Sequence, residues 1–232
     1  MYTTPKTEKT AIFNTSIQST HAEYLKYGES AWFDPNTYRN SMNKTILTDV
    51  DGVLLIWEEA FTRWMTLKNY TVQVRSVYSQ ATRYNISEDK ASSLVEEFNK
   101  SAWIGFLKPI PDAVEYVNKL GEEGYTFECL TSLTTDKHAS DIRMMNLQSI
   151  FGPYIKSCKC IATGADKDEA LTEWAPGHWW IEDKPINAIA GLNAGHKPIL
   201  ITQDYNRDFH ISSDDIVRAN GWKEIYEIIT HG

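Results

Sequence analysis

Five short runs of apolar and β-branched residues punctuate this chain, at 45–50, 126–131, 157–162, 178–182 and 198–202. Each has the length of a strand rather than a helix. Between them the apolar positions fall at helical spacing. Residues 111–123 open with Pro111 in the first turn and stop at Gly124, an arrangement that starts and ends a helix. Residues 136–150 carry Ile142, Met145 and Ile150 on one face, 167–174 and 186–193 predict shorter helices, and 222–229 carry Ile225, Tyr226, Ile228 and Ile229. Strands that alternate with helices predict an α/β fold, a Rossmann-like parallel sheet with helices on both faces. Ligands of such sheets sit beyond the carboxyl ends of the strands. Asp49, Thr131 and Asp183 all fall at such ends and are expected to converge.

One connection is too long. The chain from 51 to 125 needs only the helix at 111–123 to cross between strands, so residues 55–107 are surplus. They are not loop-like, because Trp57, Phe61, Trp64 and Met65 recur at i, i+4, i+7 and i+8. Leu94, Val95 and Phe98 mark a further helix, opened by Ser87-Glu88-Asp89 with its acidic first turn. The expected organisation is a core of residues 44–54 and 108–232, a small helical cap at 55–107 inserted after the first strand, and an N-terminal extension at 1–43. A cap there is placed to exclude water and choose the substrate. The extension begins polar and rich in Thr and Ser, but Tyr24, Tyr27, Trp32, Phe33 and Tyr38 are too aromatic for a free linker. Two readings stand for it: a segment docked on the body, or an arm that binds a protein partner.

Composition narrows the classes. With 232 residues, 42% hydrophobic and 23% charged, the chain is one ordinary domain, or a domain with an insertion. A formal charge of −8 disfavours nucleic acid and anionic membrane as partners. A phosphorylated ligand would need local cations against that field. Three cysteines, Cys129, Cys158 and Cys160, argue for a reducing compartment rather than a disulfide framework. Cys158-Lys159-Cys160 has no second cysteine pair to complete a metal site, so a strand-borne structural pair is the favoured reading. With neither a membrane-length apolar run nor a signal-peptide core, the expected location is the cytoplasm. Oligomeric state is left open.

Four motifs carry the chemistry. Asp49-Val50-Asp51-Gly52 sets two carboxylates two apart at the end of the first strand, with a glycine for the turn. A calcium loop is excluded, because its sixth and twelfth positions are Leu54 and Ala60 here. Cys129-Leu130-Thr131-Ser132 ends the second strand in two hydroxyls. Lys167 lies in Gly164-Ala165-Asp166-Lys167-Asp168, and Glu182-Asp183-Lys184-Pro185 follows the fourth strand. Taken singly, each has a plain alternative. Thr131 and Ser132 close a strand, Lys167 is a solvated helix residue, Glu182 to Pro185 form a turn, and Trp57 and Trp103 are core. His138 and His178, near the expected edge of the site, read as surface or core residues.

Together and in this order, the four motifs resemble those of the haloacid-dehalogenase-like hydrolases, over residues 45–230. A closer resemblance is to the 5'(3')-deoxyribonucleotidases. It rests on Asp49 to Leu54 followed by Trp57, on Trp103, on Leu107-Lys108-Pro109-Ile110-Pro111-Asp112-Ala113, on Thr131-Ser132 and on the acidic pair before Lys184. Three positions depart from the pattern: Asp112 replaces a glycine, Glu182 replaces an aspartate and Ile104 replaces an aromatic residue. The resemblance implies a Mg²⁺-dependent phosphohydrolase acting on a small phosphomonoester, a nucleotide above all. In it Asp49 is the nucleophile and Asp51 the general acid and base. Thr131, Ser132 and Lys167 bind the phosphate, Trp57 and Trp103 contact the substrate, and Asp49, Asp51 (through its carbonyl), Asp183 and Glu182 surround the metal. Two further readings are another small phosphate ester, such as a sugar phosphate, and a catalytically idle scaffold that binds a protein through its N-terminal arm.

Overall fold

The computed structural model describes residues 44–210 and 214–231. The N-terminal extension, and with it the reading of an aromatic arm, lies outside the described residues. Strand β1 (Thr45–Thr48) occupies the middle of a six-stranded sheet of order β3-β2-β1-β4-β5-β6. Its neighbours are β2 (Thr126–Thr131) and β4 (Trp179–Glu182), and β3 (Ile155–Cys160), β5 (Lys197–Ile201) and β6 (Val217–Ala219) lie outside them. Every pairing is parallel. Central strands of such sheets are covered on both faces, and accordingly Ile46, Leu47, Phe127, Trp180 and Ile181 are buried without regard to alternation.

The order fixes where a ligand would go. From β1 the chain winds outward through β2 and β3, then crosses back to β4 and winds the other way. Successive connections therefore leave β1 and β4 in opposite directions, and a crevice opens at their carboxyl ends. Asp49 sits there, one residue beyond β1, its N–H donating to the Ile181 carbonyl at 2.8 Å.

The five expected strands are present, with shifted ends. β3 starts two residues before the expected 157 because Ile155, almost fully buried, pairs with Phe127 and anchors it. The sixth strand has no apolar run to announce it. It is three residues long with Arg218 in the middle, and that side chain donates to Asn206 and to the Phe209 carbonyl.

Residues beyond β1 form a helical lobe that leaves and returns at a neck, its apolar side chains continuous with the core of the body. Leu55 pairs with Pro109, Ile56 N–H donates to the Lys108 carbonyl at 2.8 Å, and Ile110 N–H donates to the Leu54 carbonyl at 2.9 Å. The lobe comprises α1 (Trp57–Leu67), α2 (Gln80–Tyr84), α3 (Glu88–Asn99) and a 3₁₀ turn (Ala102–Phe106). The aromatic ladder read from the sequence is its core: Trp57 stacks on Phe61 at 4.5 Å, and Phe98 meets Phe61 edge-on at 5.3 Å. Ser87 caps α3, its hydroxyl accepting from Lys90 N–H.

The chain then runs through α4 (Ala113–Glu122), α5 (Lys137–Phe151, between β2 and β3), α6 (Asp168–Leu171), α7 (Pro185–Asn193) and α8 (Trp222–His231). The helix expected at 167–174 ends at Leu171, where the Thr172 hydroxyl donates back to the Glu169 carbonyl. Asp112, the residue in place of a glycine, accepts from the N–H groups of Trp222 and Lys223 and so holds the start of α8. No helix among the described residues is long and apolar enough to cross a membrane.

Candidate active site

Strand ends bring the motifs together. Asp49 follows β1, Thr131 ends β2, Glu182 ends β4, and Asp183 is the next residue. Lys167, just before α6, reaches under them with only 1% of its side chain exposed. Its ammonium donates to Asp49 Oδ1 and to Glu182 Oε2, both at 2.8 Å, and lies 5.1 Å from the centre of the Trp180 ring. The plain reading of Lys167 as a solvated helix residue therefore fails. The other Glu182 oxygen accepts the N–H groups of Asp183 and Lys184, at 3.0 and 2.9 Å.

Asp183 is held from the far side. The Tyr205 hydroxyl donates to its Oδ2, and Asn206 Nδ2 donates to its carbonyl at 2.6 Å. Gly52 passes close to it with φ +83°, and a Cβ at that position would overlap the Asp183 carboxylate. Glycine is thus required here for conformation and for space.

The charges do not balance. Among the described residues Asp49, Glu182 and Asp183 face a single ammonium, and all are buried. Burial, then the charge of Glu182, push Asp49 up from 3.8 to about 8 against the pull of Lys167. Asp183 rises well above the usual carboxylate range by burial and by the charges of Glu182 and Asp49. Glu182 alone is held low: burial opposes its charge, but Lys167 and the surrounding N–H groups prevail. The three carboxylates offer oxygens within 4.8 Å of one another. Hard oxygen donors with an excess of two negative charges suit a divalent cation such as Mg²⁺.

This imbalance has a measurable sign. A carboxyl whose folded pKa is raised binds its proton more readily in the folded than in the unfolded chain. Metal-free protein is thus expected to lose stability as pH climbs from the ordinary 3.8 through about 8. Urea midpoints measured across that window in EDTA check the trend, and saturating Mg²⁺ should flatten it. A midpoint that rises with pH in EDTA would contradict the charge count.

A cleft of about 920 Å³ rises from this cluster to the helical lobe. Asp49, Asp51, Thr131, Ser132, Lys167, Glu182 and Asp183 line its floor, and Trp57 lines its upper wall. Ser132 Oγ donates to the Ala165 carbonyl at 2.8 Å. The Trp57 ring is half spoken for: one face lies on Phe61, and its Nε1 donates to Asn99 at 3.0 Å. Trp103, on the 3₁₀ turn, is not among the lining residues and packs against the apolar core.

Sequence reasoning missed several side chains at the site. Arg143 on α5 grips the Asp51 carboxylate through both terminal nitrogens. Tyr78 and Tyr205 meet edge to face at 5.5 Å beside the cleft, with Lys184 5.4 Å from the centre of the Tyr78 ring. Neither Arg143 nor the two tyrosines belong to a local motif.

Comparison with known proteins agrees with this geometry. A family model described as 5' nucleotidase, deoxy (pyrimidine), cytosolic type C protein (NT5C) matches residues 43–232. A 32.4 kDa protein from the Gp30–rIII intergenic region of Enterobacteria phage T4 is 32% identical over 117 residues, covering 47% of this chain and 42% of that protein. The chain therefore matches over less than half the length of this curated relative. Among solved structures, a haloacid dehalogenase-like family hydrolase from Streptococcus pneumoniae aligns with a TM-score of 0.57 at 15% identity, over 82% of this chain and 100% of that one. D,D-heptose 1.7-bisphosphate phosphatase from B. bronchiseptica, complexed with magnesium and phosphate, aligns with a TM-score of 0.53 at 13% identity, over 81% and 98%. At such identities these two structures speak for the fold.

Proposed function

We infer the reaction from two premises: the chain belongs to the 5' nucleotidase, deoxy (pyrimidine), cytosolic type C protein family, and its motifs meet at one buried cluster of charge. It is a phosphoric monoester hydrolase of the haloacid-dehalogenase type. Its substrate is a small phosphomonoester, a (deoxy)nucleoside monophosphate, and its setting is the cytoplasm. The observation that carries this reading is the Asp49–Lys167–Glu182 chain with Asp183 beside it, at the floor of a cleft with room for a nucleotide.

A carboxylate oxygen of Asp49 attacks phosphorus, and the bond from phosphorus to the leaving oxygen breaks. Asp51 gives its proton to that oxygen and then takes one from the water that cleaves the aspartyl-phosphate. Phosphate leaves, and both aspartates return to their starting states. Thr131, Ser132 and Lys167 hold the equatorial oxygens, where negative charge spreads in the transition state. Asp49, Asp183 and the Asp51 carbonyl would hold Mg²⁺, which supplies, when bound, the positive charge that lets a carboxylate approach a phosphate dianion. Glu182 differs from them, because both of its oxygens are already engaged. Its role is to hold Lys167, and the extra methylene relative to aspartate serves that reach.

Phosphate release across nucleoside monophosphates and sugar phosphates, with and without Mg²⁺, tests the assignment, with Asp49→Asn as control. Preference for a sugar phosphate would remove the nucleotide and keep the reaction. The cap at 55–107 acts as the lid, and Trp57 is its base contact. Stacking of a base on an aromatic ring is worth roughly 1–3 kcal/mol, so Trp57→Ala should lower kcat/KM for a nucleotide by about tenfold or more. The same change should spare a sugar phosphate. Trp103→Ala, away from the cleft, should affect both substrates alike; a loss confined to the nucleotide would return Trp103 to the binding site.

A further inference from the structure

We propose that Arg143 is a positioning residue that aims the Asp51 carboxylate at the leaving oxygen, an assignment that rests on the reaction given above. Arg143 lies near the middle of α5 with its side chain fully buried, whereas Asp51 keeps 25% of its own side chain exposed. Nη1 donates to Oδ1 at 2.5 Å and Nη2 donates to Oδ2 at 3.2 Å. Among the described residues every hydrogen bond of Arg143 goes to Asp51, and its buried Nε has no partner. An orphaned buried donor is destabilising, because the water it gives up on burial is not replaced. The fold thus keeps a costly side chain in its interior for a single acceptor 92 positions away.

That acceptor needs a guide. Asp51 stands in the turn after β1, beside Gly52 at φ +83°, and lines the open cleft. A short side chain in such a place would otherwise sample several rotamers. A planar fork on both oxygens fixes the plane of the carboxylate. It uses one lone pair on each oxygen and leaves the second pair on each for the proton that moves. Lysine is a point charge and cannot reproduce the fork. Arg143 touches neither phosphorus nor the leaving group in this assignment; it acts through Asp51.

Leaving groups separate this role from a merely structural one. A nucleoside oxygen departs as an alkoxide and needs the proton of Asp51 in the first step, whereas p-nitrophenolate departs as a stable anion without it. The experiment compares Arg143→Lys and Arg143→Gln with the wild type at saturating Mg²⁺, following the first turnover of a deoxynucleoside monophosphate and of p-nitrophenyl phosphate by rapid mixing. Because general acid catalysis contributes about 10²–10⁴-fold, the nucleotide step should fall by about 10²-fold while the p-nitrophenolate burst stays within about threefold. Equal losses on both substrates, or no loss on either, would overturn the proposal. If circular dichroism shows that the arginine variants do not fold, Asp51→Glu leaves the arginine in place and displaces the carboxylate by one methylene. It should lose nucleotide turnover, and full activity would likewise overturn the proposal. A wild type inactive on both substrates would remove the reaction itself, and this inference with it, before any variant is compared.

Discussion

Asp49→Asn is expected to abolish turnover and, in the same protein, to raise the stability of the metal-free fold. An amide cannot attack phosphorus, and removing the nucleophile of a catalytic unit costs on the order of 10⁶-fold. The gain in stability follows from the excess of carboxylates. Asp49 shares its pocket with Glu182 and Asp183, and burial, then the charge of Glu182, push its pKa up to about 8. Above that pH the folded wild type must carry a buried charge that the variant lacks. Lys167 keeps Glu182 as its partner. The check is a pair of measurements: phosphate release with Mg²⁺, and urea midpoints in EDTA at about pH 9. Undiminished release would sink the covalent mechanism; a variant less stable than the wild type in EDTA would sink the account of the charges.

Lys167→Met should move stability the other way. It removes the cation that Asp49 and Glu182 share. Breaking a buried pair by deleting one partner costs about 3–5 kcal/mol, and Mg²⁺ should recover part of that by binding only the folded state. Activity should fall by about 10²–10³-fold, the scale of losing one preorganised donor to the transition state. Chemical denaturation with and without Mg²⁺, beside kcat at saturation, measures both effects. A variant as stable as the wild type in EDTA would mean that Lys167 is not the counter-ion of this cluster. Together the two substitutions bracket the site, since one relieves the charge and the other aggravates it.

The acidic floor of the cleft was legible because each part of it is written locally. Asp49 and Asp51 are two residues apart, Glu182 and Asp183 are adjacent, and each group ends a strand whose β-branched or apolar residues announce it. Parallel alternation then dictates that such ends share one edge. Arg143 had no such signal. Its partner is 92 residues away, and a polar side chain on a helix reads as solvated until packing buries it. Tyr205 was hidden in the same way, in the loop after β5. The helix α2 escaped because it is five residues long and polar, although Ser79 does cap it by accepting from Thr82 N–H. Trp103 is the converse case. Nearness in sequence to the end of the insertion suggested a wall of the cleft, but the 3₁₀ turn directs the ring elsewhere.

The neck of the helical lobe has a consequence for how such a protein can change. Its two ends leave the body side by side, joined by the Leu55–Pro109 bridge and by the hydrogen bond from Ile56 to Lys108. A segment that departs and returns at one point is a cassette. Beyond the neck the body also holds it through Asn99, whose side chain donates to the Leu133 carbonyl, and through the close approach of Gly105 to Ile142. The nucleophile loop lies at the root of that neck, where Asp51 pairs with Leu55. A grafted roof should therefore be accepted only where its two ends meet as closely and where it restores the contacts that Asn99 and Gly105 make with Leu133 and Ile142.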